Sequence, residues 1–296
     1  MRKNKNMYQF KLDSWYIAVR KAYDGAILSD LDTPFHVLCL PNNGWAADPF
    51  VFVKNDVTYV FAEFYDYKFG KGCISYITID ENLTQNCSWK CIIEEPYHLS
   101  FPFIFEEDGD IYIMPESNRG NCLSKYKAID FPDKWEKQDI DSGHRFADTA
   151  LFRMNERLFG YTLELKTDTD QAGRIFSYKK NQIDLLDEIY SLNKKNRRLG
   201  GAFFECNGRL IKCAQDCTDT YGSALVFSEF FQTDKKFDEK IIKEIKPQEI
   251  KLDKRVKLSG IHTYNCMNGV EIIDIKSNRL SLVQRFWNLV RKISRR

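Results

Sequence analysis

Several polar residue types that could do sugar chemistry recur at matching places along the chain. Carboxylates and amides can hydrogen-bond sugar hydroxyls, and aromatic rings can pack against the C–H faces of a sugar ring. Carboxylates crowded into one site also shift each other's pKa, which can provide both an acid and a base for glycosyl chemistry. The candidate residues are Trp45, Asp48, Glu63, His98, Glu116, Asp148, Arg198, Gln215, Asp216, Tyr221, His262 and Asn265.

The elements that would position these residues are copies of one repeated segment. Residues 48–63 (DPFVFVKNDVTYVFAE) and residues 101–116 (FPFIFEEDGDIYIMPE) align without a gap, and related segments begin at residues 148, 200 and 261. Each copy is an apolar strand, a turn of Asn, Asp or Gly, and a second strand, which indicates a β-hairpin. Hairpins that recur about every 50 residues are typical of propeller blades. The sequence therefore predicts an all-β protein, a five-bladed β-propeller over residues 1–276, with blade-opening strands near residues 48, 101, 148, 200 and 261.

A propeller would bring the candidate residues to one mouth of its central channel. If the first strand of each blade lines the channel, its first residues lie beside the last residues of the second strand, so all blades contribute to the same end. Other roles stay open for single residues. Asp48 precedes a proline, as a turn acid would, and Asp216 lies in the turn-like run QDCTDTYG. Surface positions at strand ends, or structural hydrogen bonds, are the alternatives for Glu63, Glu116, His98 and His262.

The charge of the chain is nearly balanced but unevenly placed. Its 44 Lys and Arg against 42 Asp and Glu give a net charge of +2, which excludes a strongly basic nucleic-acid-binding protein. Residues 279–296 contain six basic residues and no acidic one, and their apolar residues recur at helical spacing. We predict a basic amphipathic helix over residues 277–296 that binds an anionic membrane surface; the alternative is a helix packed on the domain with a solvated basic face.

The sequence carries no clear targeting or metal-binding pattern. Its first residues lack an apolar run of signal-peptide length, and no stretch approaches the roughly 18 apolar residues of a membrane span, so we expect a cytoplasmic protein, peripheral on the inner membrane. The nine scattered cysteines predict reduced thiols. Asp139 and Asp141 have the spacing of a DxD metal pair but are expected in an inter-blade linker, and no phosphate-binding glycine motif is present. The sequence predicts neither a cofactor nor a metal.

The ordered series of motifs resembles a known family. WAADPFVF, HLSFPFIFEEDGDIYIMPES, DTALF, RRLGGAFFECNGRLIKCAQDCTDTYGSAL and GIHTYN are similar to the N-terminal propeller domain of plant glucosamine inositolphosphorylceramide transferases and of bacterial relatives that accompany surface-polysaccharide biosynthesis. The resemblance covers about residues 40–275 and implies distant kinship with five-bladed furanosidase-type glycoside hydrolases. In those enzymes an Asp that opens blade one is the base or nucleophile, an Asp in blade two tunes it, and a Glu in blade three is the acid. The resemblance implies the first role for Asp48, whereas Phe101 and Asp148 occupy the other two places, so the hydrolase triad is not intact.

Three functional hypotheses follow. The leading one is a glycosyltransferase of bacterial surface (capsular or O-antigen) polysaccharide biosynthesis, which would use a sugar nucleotide or another activated donor and a glycan or lipid-linked acceptor. Asp48 would be the base for the acceptor hydroxyl, with Asp148 and Glu116 as further catalytic candidates, and Arg198 beside Arg197 would bind a donor phosphate. The alternatives are an intracellular glycosidase or phosphorylase, and a non-catalytic glycan-binding module that recruits a transferase.

Overall fold

Five antiparallel sheets and one C-terminal helix make up the protein, as a computed structural model shows. The structure describes residues 12–40, 42–167, 169–179, 181–186, 190–233, 236–279 and 282–294. The sheets are the five blades of a β-propeller, so the predicted fold class is confirmed. No helix in the described ranges is long and apolar enough to span a bilayer.

The strands follow one another around the ring, except that the first two complete the last blade. The N-terminal strands are β1 (Leu12–Lys21) and β2 (His36–Val37). Blades one and two consist of β3 (Gly44–Lys54), β4 (Val57–Asp66), β5 (Lys71–Ile79) and β6 (Lys90–Ile93), then β7 (Ser100–Glu107), β8 (Asp110–Glu116), β9 (Cys122–Asp130) and β10 (Lys134–Ser142). Blades three and four consist of β11 (Phe146–Met154), β12 (Arg157–Leu165), β13 (Gln171–Lys179) and β14 (Gln182–Leu185), then β15 (Arg198–Leu199), β16 (Phe204–Cys206), β17 (Arg209–Asp216), β18 (Ala224–Thr233) and β19 (Lys236–Ile245). Blade five adds β20 (Leu258–Gly260), β21 (Tyr264–Met267) and β22 (Val270–Arg279), and the helix is α1 (Leu282–Ser294).

Each blade begins with a hairpin whose turn has the same geometry. The turns are at residues 55–56, 108–109, 155–156, 207–208 and 268–269, and both central residues of each turn have positive φ. This is the type I′ turn, whose twist matches that of the flanking strands and which favours Asn, Asp and Gly. All five turns therefore lie at one end of the propeller, and the predicted mouth lies at the other.

The ring is closed by the N-terminal strand. β1 pairs with β22 along its whole length, from Leu12 opposite Arg279 to Lys21 opposite Val270. The sequence interpretation did not identify this pairing. It also placed the end of the propeller at residue 276, whereas β22 continues to Arg279 and the helix begins only at Leu282.

The proposed linker position of Asp139 and Asp141 is wrong. Both residues lie in β10, the outer strand of blade two, where Asp139 accepts a hydrogen bond from Ser124 Oγ at 2.7 Å and Asp141 Oδ2 lies 2.8 Å from His144 Nδ1. Each of the two aspartates thus has a polar partner close by, and the DxD-like pair has a structural role. The nine cysteines are free thiols, of which Cys213 is fully buried.

Candidate functional site

The first strands of blades one, two and three share a distortion at the mouth. At this point the register between the first and second strand slips, and Asp48, Phe101 and Asp148 have φ values of 50°, 45° and 49°. A left-handed backbone is unfavourable for residues other than Gly, Asn and Asp. A register slip of this kind is a β-bulge, which changes the direction of the neighbouring side chains. The repeat therefore places two aspartates at equivalent positions on the channel, in blades one and three.

Asp48 is buried and accepts several hydrogen bonds. Thr263 Oγ1 donates to its Oδ1 at 2.8 Å, and the backbone N–H of Phe101 donates to its Oδ2 at 3.2 Å. His262 Nε2 lies 3.2 Å from Oδ1. Two segments, one from blade two and one from blade five, thus fix the orientation of this carboxylate.

The environment of Asp48 opposes its ionisation. Burial raises the pKa of Asp48 to about 7, although the charge of His262 acts to lower it, and the negative charges of Glu63, Asp148 and Asp274 raise it further. A carboxyl group with a pKa near neutrality can both take up and release a proton at physiological pH, which is the property of a general base.

His262 links Asp48 to a second buried carboxylate. Its Nδ1 lies 2.6 Å from Asp274 Oδ2, and its ring stacks on the indole of Trp15 with centroids 4.0 Å apart. Asp274 also accepts backbone N–H groups of Asp48 at 3.0 Å and Thr263 at 2.9 Å. Burial lowers the pKa of His262, but the charges of Asp274 and Asp48 outweigh this and raise it. The two carboxylates therefore favour a protonated imidazole between them.

The same three groups could be considered as metal ligands. One ligand atom from each of Asp48, His262 and Asp274 lies within 4.8 Å of the others. The two nitrogens of His262, however, face different carboxylates, and the oxygens of Asp274 already accept backbone N–H groups. A metal would have to displace the bonds from the backbone, so the geometry fits a triad in which the imidazole is ion-paired with the two carboxylates. The expectation of a metal-free protein stays a prediction.

A second cluster at the mouth is organised by Arg198. Its Nε donates to Asp148 Oδ2, and its Nη2 donates to Glu116 Oε2 at 3.3 Å. Gln215 Nε2 donates to the same oxygen of Asp148 at 3.1 Å. Burial and the neighbouring charge of Asp148 raise the pKa of Glu116 well above its usual range, although Arg198 acts to lower it. Glu116 is therefore a second proton-carrying carboxyl group, beside the ionic pair of Asp148 and Arg198.

Two more predicted residues meet on the side of blade one. His98 Nδ1 accepts the N–H of Gly72 at 3.0 Å, so the ring proton resides on Nε2, which faces Glu63 Oε1 at 3.2 Å. Next to them Trp45 stacks on Tyr65, with ring centroids 4.7 Å apart and planes within 1°. The two rings support each other, and Trp45 remains only half-buried.

Two candidates have structural roles. Asp216 Oδ1 accepts the N–H of Thr218 at 2.8 Å, so it is the turn acid that the sequence left open as an alternative. Asn265 donates to Pro49 O at 2.7 Å and accepts the N–H of Ala202 at 2.7 Å. Asn265 thus holds together the backbones of blades one, four and five, and its amide is already hydrogen-bonded to them.

Sequence reasoning missed Trp15, Thr263 and Asp274. Asp274 could have been found, because it is a charged residue at a repeat position that is otherwise apolar. The register of the hairpins makes it equivalent to Phe61, Met114, Tyr161 and Cys213. Trp15 gave no signal, because it lies on the closing strand, outside every repeat.

A cavity of about 420 Å³ opens between blades three and four beside the second cluster. Among the described residues of its wall, Lys194, Arg197 and Arg198 carry positive charge and Asp219 alone carries a carboxylate. The guanidinium of Arg197 donates to neutral oxygens, with two of these bonds, at 2.9 Å each, to Gln171. The positive charge of Arg197 is therefore not neutralised by a carboxylate among the described residues.

Tyr221 lies between this cavity and the triad of Asp48, His262 and Asp274. It is 42% exposed, its ring centroid lies 5.0 Å from that of His262, and Arg198 Cζ lies 5.2 Å from it. The guanidinium lies over one face of this partly exposed ring, and the other face is a platform on which a sugar ring could pack.

We expect the stability of the Asp48→Asn variant, relative to the wild-type protein, to increase as the pH rises. Because its pKa is raised, Asp48 keeps its proton in the folded state at pH values where the unfolded chain has lost it. Its contribution to the free energy of unfolding is therefore present at low pH and is lost between about pH 4 and 7. The loss amounts to about 1.4 kcal/mol for each unit by which the pKa is raised. Asparagine cannot ionise and escapes this loss. Calorimetric melting of both proteins from acidic to alkaline pH measures the difference. A difference in Tm that stays constant with pH would show that Asp48 titrates normally.

A family of known proteins matches most of this chain. The family described as glucosamine inositolphosphorylceramide transferase 1, N-terminal, matches residues 38–281. The chain belongs to this family. Relatives called glucosamine inositolphosphorylceramide transferase 1 are 30% identical over 206 residues in Arabidopsis thaliana and 29% identical over 198 residues in Oryza sativa subsp. indica. These matches cover 64% and 62% of this chain but 26% and 25% of the relatives, so the chain corresponds to about a quarter of their length.

Solved structures with a similar fold are glycoside hydrolases. The catalytic domain of the Coprinopsis cinerea GH62 α-L-arabinofuranosidase superposes with a TM-score of 0.59 at 9% identity, covering 91% of this chain and 98% of that one. RS223-β-xylosidase gives a TM-score of 0.54 at 10% identity, covering 80% and 93%. At these identities the likeness shows the fold alone, and that fold is the five-bladed propeller that the sequence predicts.

Proposed function

We propose that this member of the glucosamine inositolphosphorylceramide transferase 1 N-terminal family is a glycosyltransferase-type enzyme. It would transfer a sugar from an activated, phosphate-bearing donor to a hydroxyl group of a glycan or lipid-linked acceptor. The names of its relatives support a glycan-active role. A place in bacterial surface-polysaccharide biosynthesis is part of the proposal and is supported by the sequence resemblance only.

The single observation that carries the proposal is the position of Arg198. Its guanidinium contacts the two buried carboxyl groups of Asp148 and Glu116 and also forms part of the wall of the cation-lined cavity. Its Nη1 has no hydrogen-bond partner in the part of the chain that the structure describes. A donor phosphate in the cavity would therefore lie beside Arg198, Arg197 and Lys194, while the sugar attached to it would reach the carboxyl groups at the mouth.

The chemical step follows from this arrangement. Asp48 takes the proton of the acceptor hydroxyl while the hydroxyl oxygen forms a bond to the anomeric carbon of the donor. The bond between that carbon and the phosphate oxygen breaks, and the phosphate leaves with the electron pair. The cations of the cavity stabilise the charge that develops on the leaving group. The proton on Asp48 then returns to solvent, which restores the carboxylate for the next turnover.

A glycoside hydrolase is the second candidate, and Glu116 favours it. A raised pKa favours the protonated form of Glu116, which is the form that a general acid for a glycosidic oxygen needs. This candidate requires a neutral oligosaccharide substrate and leaves the cations of the cavity without a role.

Binding of sugar nucleotides tests the proposal. In a thermal-shift screen against sugar nucleotides, free nucleotides and neutral oligosaccharides, we expect a sugar nucleotide to raise the Tm. Lys194→Ala should weaken this binding roughly fivefold or more, because it removes one exposed cation from the phosphate site. Arg198→Ala is a poorer probe, since it would also leave Glu116 and Asp148 without their shared cation.

The matched control is Lys240→Ala. Lys240 is an exposed lysine on β19, the outer strand of blade four, away from the cavity. It should leave nucleotide binding unchanged. Stabilisation by neutral oligosaccharides alone, with no effect of Lys194→Ala, would contradict the transferase proposal and favour the hydrolase or a glycan-binding module.

A further inference from the structure

The helix α1 packs on blade one with its polar side. Arg291 Nη1 donates to the backbone oxygen of Tyr67 in the loop between β4 and β5, and Arg291 Nη2 donates to Asn288. Lys68 Nζ lies 6.0 Å from the ring centroid of Trp287. Gly70 has a φ of 68° and lies directly against the Arg291 guanidinium, where a Cβ would collide. These described contacts of the helix with blade one are thus polar and cationic.

The apolar side of the helix faces away from the protein. Leu282, Phe286, Leu289 and Ile293 are spaced by four, three and four residues and are 71%, 58%, 59% and 65% exposed. Phe69, in the loop beneath the helix, is 59% exposed and lies 5.3 Å from Lys68 Nζ. We call the four exposed side chains of the helical stripe, Leu282, Phe286, Leu289 and Ile293, the apolar ridge. A packed terminal helix would normally bury such a stripe against its own domain, so this one is available to an external partner.

Basic residues border the apolar ridge. At 100° per residue, Arg285 and Lys292 lie together along one flank of the stripe. The segment 279–296 contains six basic residues and no acidic one. Long cationic side chains beside an exposed apolar stripe can extend to lipid phosphates while the apolar groups enter the acyl region. This combination matches an anionic bilayer in both charge and polarity.

The apolar ridge lies at the same end of the propeller as the site. The loop that holds α1 leaves β4 only three residues after Glu63, and it leads into β5, where the N–H of Gly72 donates to His98. The type I′ turns lie at the opposite end. A flat surface that contacts the apolar ridge would therefore face the mouth.

We propose that the apolar ridge and its basic flank bind the surface of an anionic lipid bilayer, with the mouth of the site turned towards the lipid. A second copy of this chain or a protein partner would be held by apolar contact without needing the flanking cations. In combination with the proposed function, on which this step rests, the orientation implies that the donor or the acceptor is carried on a membrane lipid.

Vesicle flotation tests the binding. The full chain is mixed with vesicles of phosphatidylcholine alone, or of phosphatidylcholine with phosphatidylserine, at low and high salt. We expect binding to the anionic vesicles that weakens with salt, and at least about tenfold weaker binding for Phe286→Asp. The control is Ile129→Asp, because Ile129 lies on blade two and is 60% exposed, as Phe286 is at 58%. An unchanged Tm of each variant shows that it is folded.

Hydrogen exchange tests the orientation. Vesicles should protect the backbone of residues 67–70 and leave the turn at residues 108–109 unchanged. Equal flotation of Phe286→Asp and wild type, or protection of that turn, would overturn the proposal. Dimers that form without lipid and are abolished by Phe286→Asp would also overturn it and assign the apolar ridge to a second copy. Sugar-nucleotide binding by the same proteins, measured without vesicles, tests the proposed function separately.

Discussion

Replacing Asp48 by asparagine should reduce sugar transfer by about 10²- to 10⁴-fold, the usual contribution of a general base. The side chain keeps its shape: its amide oxygen can still accept the hydrogen bond from the Phe101 N–H, and its amide nitrogen can donate to Thr263 Oγ1, a hydroxyl that can also accept. It can no longer take a proton from the acceptor hydroxyl. Turnover of the sugar nucleotide that stabilises the wild-type protein measures the effect, and we expect the Kd for that donor to change little.

The matched control for Asp48→Asn is Asp56→Asn. Asp56 has a φ of 61°, close to the 50° of Asp48, and it belongs to the same blade, but it is exposed in the turn at the opposite end. Substitution there makes the same chemical change on a similar backbone. Full activity in both variants would exclude Asp48 as the base. If the wild type has no turnover and Asp48→Asn weakens glycan binding no more than Tyr221→Ala does, the protein is a binding module.

Glu271→Gln should cause the largest loss of stability, about 3–5 kcal/mol in the free energy of unfolding and on the order of 10 °C in Tm. Glu271 is fully buried, and its carboxylate accepts hydrogen bonds from Arg20 Nε at 2.6 Å, Ile27 N at 2.8 Å and Tyr264 Oη at 2.6 Å. Glutamine preserves the volume but removes the charge, which leaves the buried guanidinium of Arg20 with only the more distant carboxylate of Asp30, at 3.9 Å. Urea and thermal unfolding of both proteins measure the change.

A surface ion pair provides the comparison. Arg209 and Glu229 form a bridge at 3.5 Å with side chains 44% and 31% exposed, so Glu229→Gln should cost less than about 1 kcal/mol. Equal losses for the two variants would mean that the Arg20–Glu271 pair does not hold the closing strand in place.

The repeat was sufficient to predict the propeller because its signals are local. Two-residue turns of Asn, Asp and Gly and alternating strands recur within each copy, and each copy can be recognised without knowledge of its neighbours. The same argument placed Asp48, Asp148 and Glu116 at one mouth, since equivalent repeat positions become equivalent positions around the ring. Burial and hydrogen bonds in the structure then distinguish these residues from Asp216, whose carboxylate accepts a hydrogen bond from within its own turn.

Pairing between distant segments could not be predicted in this way. The contact of Trp15 with His262 requires that β1 joins β22, and no local pattern links strands so far apart. The role of Asn265 depends in the same way on two backbones of other blades. Asp274 was missed for a different reason: the fifth repeat is weak, and a charged residue at an apolar position looked like further divergence.

The closing strand has a consequence for how the protein folds during synthesis. Arg20 and Glu271 are 251 positions apart, and at roughly 5–20 residues per second β1 waits on the order of tens of seconds for β22 to be made. During that time blades one to four can form as the chain emerges, while β1 presents an unpaired edge. The ring can close only after nearly the whole propeller has left the ribosome. Nascent chains arrested before β22 should therefore be the species most dependent on chaperones, and a circular permutant that makes β1 directly after β22 should remove this dependence.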